Sequence, residues 1–201
     1  AQAVQSPRWD ATVRQGINDF IAAYGKDSPN YDKNNHPYAV FDFDNTTSIL
    51  DVGEQLEVWQ LDHLQFAVPP TQMKSVLMTG IPADKLDAIR AAVSYFKVPG
   101  VKDVLAMTNK VDANGRYLNQ YDYDLHPQTQ GVGKAETLAK ILVPKYKGHG
   151  PSFTAMDSQG DFNFCTEFKD TKEVLVINRT RTDDAALCAG IAAYQKKHGI
   201  D

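Results

Sequence analysis

Several things missing from this sequence each exclude a class of function. No apolar run approaches the ~18 residues that a membrane span requires, so no membrane partner is expected. Lys and Arg are nowhere gathered into a cluster, and the 201 residues carry a net charge of −4, which argues against nucleic acid. The five histidines are scattered, without the His-x-His or His-x-x-x-His spacing of a zinc site. Cysteine is nearly absent. Cys165 and Cys188 stand 23 positions apart with no Cys-x-x-Cys, and that spacing alone does not define a disulfide. Cys188 lies beside Leu187 and Ile191 on the apolar side of a helical pattern, where a free cysteine serves as a small core residue. Repeats and low-complexity segments are also lacking.

What remains is a globular composition, 42% apolar and 23% charged, on a chain long enough for one sizeable domain or a domain with a small appendage. Val13, Ile17, Phe20, Ile21 and Tyr24 recur at helical spacing, so an amphipathic helix opens the chain. A polar loop full of turn formers follows, then a strand over 38–42. Helical patterns are expected over 53–66, 71–78 and 82–96, and "DVLAM" (103–107) reads as a short strand. Asn114-Gly115 marks a hairpin, with Tyr117, Tyr121 and Tyr123 on one face of its second strand. A helix over 133–142 should stop at Pro144; strands at 152–156 and 173–177 and a closing helix over 184–197 complete the pattern. Trp59, Tyr95 and Phe96 read as core residues rather than as an aromatic cage for a cation.

Helices alternating with short, wholly apolar strands imply an α/β fold, a Rossmann-like and mainly parallel sheet flanked by helices. A small helical cap inserted after the first strand (51–96) and a β-hairpin would complete it, leaving 1–50 and 97–201 as the core. Ligands of such sheets sit at the carboxyl ends of the strands. Two acid-rich stretches fall there: "FDFDNTTS" after the first strand and "DSQGD" after Met156.

Burying carboxylates is costly unless something pairs with them. Asp42 and Asp44 end one strand, and Asp157 and Asp161 would reach the same edge if the two strands are neighbours. Several oxygens with few basic neighbours suit a hard divalent cation, and few protein ligands with room for water favour Mg2+ over Ca2+. Lys134, after glycines at an expected helix start, together with nearby backbone N–H groups, would suit a phosphate. The plain alternatives stay open: a strand end entering a solvated turn with 44–46 capping the next element, a Gly-containing turn at 157–161, and an exposed lysine.

The combination resembles the haloacid dehalogenase superfamily of phosphohydrolases. "DFDNT" (Asp42, Asp44, Thr46) is similar to its first motif, Lys134 to its third, and "DSQGD" (Asp157, Asp161) to its fourth, in the right order. The wider look of "PYAVFDFDNTT", "GKAETLAKIL" and "MDSQGDFNF" is similar to a bacterial branch that includes secreted acid and phosphorylcholine phosphatases. The resemblance implies a nucleophilic Asp42 that forms an aspartyl-phosphate, and Asp44 as acid and base. It also implies Mg2+ held by Asp42, the Asp44 carbonyl and Asp157. Asp161 would support the metal's water or Lys134, and Thr46 and Lys134 would contact the phosphate. The second acid, Asp44, points to phosphoryl transfer rather than carbon–halogen cleavage.

Glu54 and Trp59 are the substrate-side candidates, and a small phosphorylated metabolite is the expected substrate. The opening "AQAVQSP" suits the mature side of a signal-peptide cleavage or a trimmed chain, and with the resemblance it leans to a periplasmic or secreted protein over a cytoplasmic one.

One element of the family pattern has no match. Its second motif is a Ser or Thr that ends a core strand before a helix. Here Thr108 runs straight into the hairpin, and Ser94 lies inside a helical pattern. Two rivals of another class therefore stand beside the phosphatase. One is a shortened or degenerate member that binds Mg2+ and phosphate with little or no turnover; the other is an exported, non-enzymatic domain whose acids serve structure.

Overall fold

The computed structural model describes residues 3–51, 55, 58–59, 62–63, 85–124, 127, 129–180 and 182–199. The chain divides into two compact units, Ala1–Asp42 with Leu138–Asp201, and Phe43–Thr137.

The first unit is an α/β layer structure. Strands β1 (Ala39–Phe41), β4 (Phe153–Met156) and β5 (Glu173–Val176) form a parallel sheet in the order β1-β4-β5. Phe41 pairs with Ala155, and Met156 with Val176, so the three strands run together and end at nearly the same level. The ladders continue one step further, with Asp42 N–H donating to the Ala155 carbonyl (3.0 Å) and Ile177 N–H to that of Met156 (2.8 Å). Strand β4, buried on both faces throughout, is the middle of this sheet.

Alternation along β4 sorts the two faces. Phe153 and Ala155 face helix α1 (Ala11–Tyr24), where Ile17 is buried against them beside Phe20, Ile21 and Leu175. Asp10 starts that helix, its Oδ1 accepting from the N–H groups of Thr12 (2.9 Å) and Val13 (3.2 Å), which satisfies donors the first turn leaves open. Helix α5 (Phe162–Thr166) also packs against β4, and its Phe164 and Cys165 are buried. Helix α6 (Thr182–His198) is tied in by Tyr194, whose hydroxyl donates to the Thr166 carbonyl (2.6 Å), and by Gln195, which donates to the Val174 carbonyl (3.1 Å). Cys165 and Cys188 are both free thiols. Among the described residues no helix is long and apolar enough to cross a membrane.

The second unit holds α2 (Lys85–Tyr95), the hairpin β2 (Asn109–Val111) and β3 (Tyr117–Tyr121), and α3 (Val132–Thr137). Its small core gathers Leu86, Ile89 and Ala106, with Phe43, Val93 and Val104 against them. The hairpin turns over Asp112 to Gly115. Asp112 Oδ1 accepts from Asn114 N–H (2.8 Å) and Arg116 N–H (2.9 Å), and Gly115 takes the left-handed φ of 76° that this turn requires.

Three local expectations change, and a fourth falls on residues that are not described. "DVLAM" is not a strand: residues 103–107 are irregular, and the run is apolar because Ala106 enters the small core rather than because it pairs. The helix begun by α3 does not stop before Pro144. It widens to a π-helical stretch over Leu138–Leu142 and ends in the short α4, Val143–Lys145. A wide turn there relieves the clash a proline makes with the carbonyl four residues back. Tyr95 and Phe96 are exposed, in an edge-on pair with ring centroids 5.1 Å apart, and Trp59 is also exposed, stacked on His63 at 4.7 Å; none of the three is core. The expected helix over 71–78 lies outside the described residues.

Candidate metal centre

The strand order decides which loops meet. With β1 beside β4 and β4 beside β5, the residues just past three neighbouring carboxyl ends are Asp42, Asp157 and the Asn178-Arg179 pair. Asp42, Asp157 and Asp161 each bring a carboxylate oxygen within 4.8 Å of the other two. Asp42 is half-buried, whereas Asp157 keeps 3% of its surface and Asp161 only 1%.

Asp161 is placed by its own loop. Residues Gln159–Asp161 form a 3₁₀ turn capped by Ser158, and Asp161 Oδ2 accepts from the N–H groups of Ser158 (3.2 Å) and Asp157 (3.4 Å) and from the Ser158 hydroxyl (3.3 Å). The capping carboxylate thus fixes the backbone that carries Asp157. In this unit Asp161 is the brace of the loop as well as a member of the cluster.

Asp157 is affected by its crowded position. Burial first, then a hydrogen bond shared with Asp42 and the charges of Asp42 and Asp161, raise its pKa to about 6, while Arg179 pulls the other way. Arg179 Nε lies 2.8 Å from Asp157 Oδ2, an ion pair by distance whose N–H does not line up on the oxygen.

These donors fit a hard cation. All are carboxylate oxygens, and opposite ligands of Mg2+ stand about 4.2 Å apart, close to the span of the cluster. Burial first, and then repulsion from its neighbours, favour a proton on Asp157, and a divalent ion at the cluster would offset both.

The remaining expected site residues belong to the second unit. Asp44 and Thr46 are half-buried in a tight turn, where Asn45 takes a φ of 61° and Thr47 and Ser48 donate to the Phe43 carbonyl (3.0 and 2.9 Å). Lys134 is half-buried at the start of α3. Two of the backbone N–H groups near it are engaged within the turn: Gly133 donates to Gln130 O and Lys134 to Gly131 O, both at 3.1 Å. Trp59 stands half-exposed on its helical segment, and Glu54 lies outside the described residues.

Sequence reasoning missed Arg179. The available signal was positional: "EVLVI" ends as "SFTAM" does, and Arg179 follows it at a distance similar to that of "DSQGD" after Met156.

No family model matches the chain, and no curated protein matches it. Among solved structures, the chain is similar to a conserved functionally unknown protein from Anaerococcus prevotii DSM 20548. That likeness has a TM-score of 0.72 at 17% identity, over 95% of this chain and 92% of the other, so the two share a fold.

Proposed function

We propose that the chain is a Mg2+-dependent phosphomonoester hydrolase of the haloacid dehalogenase type, acting on a small phosphorylated metabolite. The observation that carries this reading is the convergence of Asp42, Asp157 and Asp161 at the carboxyl ends of adjacent parallel strands. Asp42 and Asp157 would hold the ion with the backbone carbonyl of Asp44, and Asp161 would brace them. When bound, the ion supplies charge neutralisation that lets an anionic nucleophile approach an anionic phosphate.

The chain's own residues then divide the work. A carboxylate oxygen of Asp42 bonds to phosphorus as the ester oxygen leaves, and Asp44, two residues on, gives that oxygen a proton. Water then attacks the aspartyl-phosphate, Asp44 takes its proton, and phosphate departs with Asp42 restored. The resemblance implies that Thr46 and Lys134 would offset the negative charge on the transferring group.

A second reading is favoured by one specific observation. Among the described residues β1 has a strand neighbour on one side only, and Thr108 leads straight into the hairpin, its carbonyl accepting from Asp122 N–H (2.8 Å). Among the described residues no hydroxyl stands at a strand end in the role of the family's second motif. Phosphoryl transfer depends on placement, so a chain without that hydroxyl would bind Mg2+ and phosphate but turn over slowly.

Hydrolysis of p-nitrophenyl phosphate separates the two. The hydrolase reading expects turnover with Mg2+ that a chelator abolishes and that Asp42→Asn reduces at least about a thousand-fold. A folded, Mg2+-supplied chain without turnover overturns it in favour of the binding protein.

A further inference from the structure

Beyond β5 the chain makes a strained turn beside one buried basic side chain. Thr180 has a φ of 61°, a left-handed conformation that β-branched residues rarely adopt. The turn is held by Asn178, whose Oδ1 accepts from Thr180 N–H (2.8 Å), and by the Thr180 hydroxyl, which donates to the Arg179 carbonyl (2.7 Å). Strain of this kind persists where surrounding structure over-determines it, commonly at functional sites. Arg179, just before Thr180, has Nε 2.8 Å from Asp157 Oδ2 and its side chain three-quarters buried.

The charge count gives that placement a purpose. Asp42, Asp157 and Asp161 carry three negative charges when ionised, and one guanidinium leaves two, which a single divalent ion neutralises. Carboxylate ligands are commonly steadied by an outer partner, and loss of such a partner weakens metal binding. The guanidinium also lowers the pKa of Asp157 against the burial and neighbouring charges that raise it, so its charge is felt at that carboxylate.

We propose that Arg179 is a positioning residue of the carboxylate centre: paired with Asp157, it holds that carboxylate among its neighbours, offsets one of three negative charges, and thereby strengthens divalent-cation binding. The proposal rests on the metal-binding reading of the cluster. Its specific content is that a cation beside the site helps a cation to bind, opposite to what simple repulsion gives.

Calorimetric titration of the whole chain with Mn2+ tests it, with Asp157→Asn as the control and circular dichroism to confirm folding. The expected result is a Kd about 10–100-fold weaker in Arg179→Met. Arg179→Lys, which restores charge but not the planar fork, should recover most of the affinity. Equal or tighter binding in Arg179→Met would overturn the proposal, leaving Arg179 a bystander or a competitor of the ion. If Arg179→Met does not fold, Arg179→Gln replaces it, with the same loss expected and wild-type affinity contradicting it. Absence of Mn2+ binding in the wild-type chain would instead overturn the metal reading itself, and this inference with it.

Discussion

Strands β1 and β4 are neighbours, run parallel, and each delivers an aspartate at its carboxyl end, yet they are built differently. All four residues of β4 are buried, and it is flanked by a strand on each side. In β1, Ala39 and Phe41 are exposed, Phe41 by 54%. Asp157 therefore rests on a packed strand with a braced loop behind it, and Asp42 on a strand with one partner among the described residues. The difference fits the proposed division of labour. A ligand that only holds a cation gains from rigidity, whereas a nucleophile needs an accessible carboxylate.

The largest test of this contrast is the packing beneath β4. Phe164, 2% exposed on the helix against that strand, anchors the buried half of the centre. Phe164→Ala should cost about 3–5 kcal/mol and lower Tm by about 6–20 °C in a thermal melt. A loss below about 1 kcal/mol would mean that the β4 side is not the rigid side.

A middle-sized effect comes from pH. The pKa of Asp157, about 6 in the folded chain, lies above the ordinary value near about 3.9. The metal-free fold binds this proton more tightly than the unfolded chain does. Its contribution to stability is therefore complete below the ordinary value and is lost as pH rises through about 6. Metal binding runs the other way, because the ion needs the ionised form. Mn2+ affinity should be level above pH 7 and fall by up to about tenfold for each pH unit below 6. Equal calorimetric Kd values at pH 5 and pH 7 would remove Asp157 from the ligand set.

The smallest effect belongs to β1. Phe41→Ala should change stability by less than about 1 kcal/mol and leave Mn2+ affinity within about twofold, because the ring is half in solvent. A loss as large as that of Phe164→Ala would show the two strands to be equally load-carrying and break the comparison.

Much of this was legible in the sequence, for reasons that differ by element. The apolar runs at 38–42 and 152–156 marked strands β1 and β4 and the carboxylates at their ends, although only β4 is buried throughout. The hairpin was legible because Asn-Gly has a stereochemical cause. "DVLAM" misled because an apolar run reports burial, and Ala106 is buried without pairing. Arg179 was not legible because its meaning depends on strand order. Nothing local says that the loop after β5 adjoins the loop after β4, and the ion pair to Asp157 spans 22 positions of sequence. The engaged N–H groups of Gly133 and Lys134 were hidden for the opposite reason: a helix start looks the same in sequence whether its first turn closes on itself or stays open.

The central claim is that Asp42, Asp157 and Asp161 form a cation centre, and crystals soaked in Mn2+ test it most directly through anomalous scattering. The expected result is one peak bonded to the carboxylates of Asp42 and Asp157, with Asp161 still bracing the loop. A saturating soak that leaves those carboxylates ordered and the peak absent, or places it elsewhere, would contradict the centre and the phosphatase built on it.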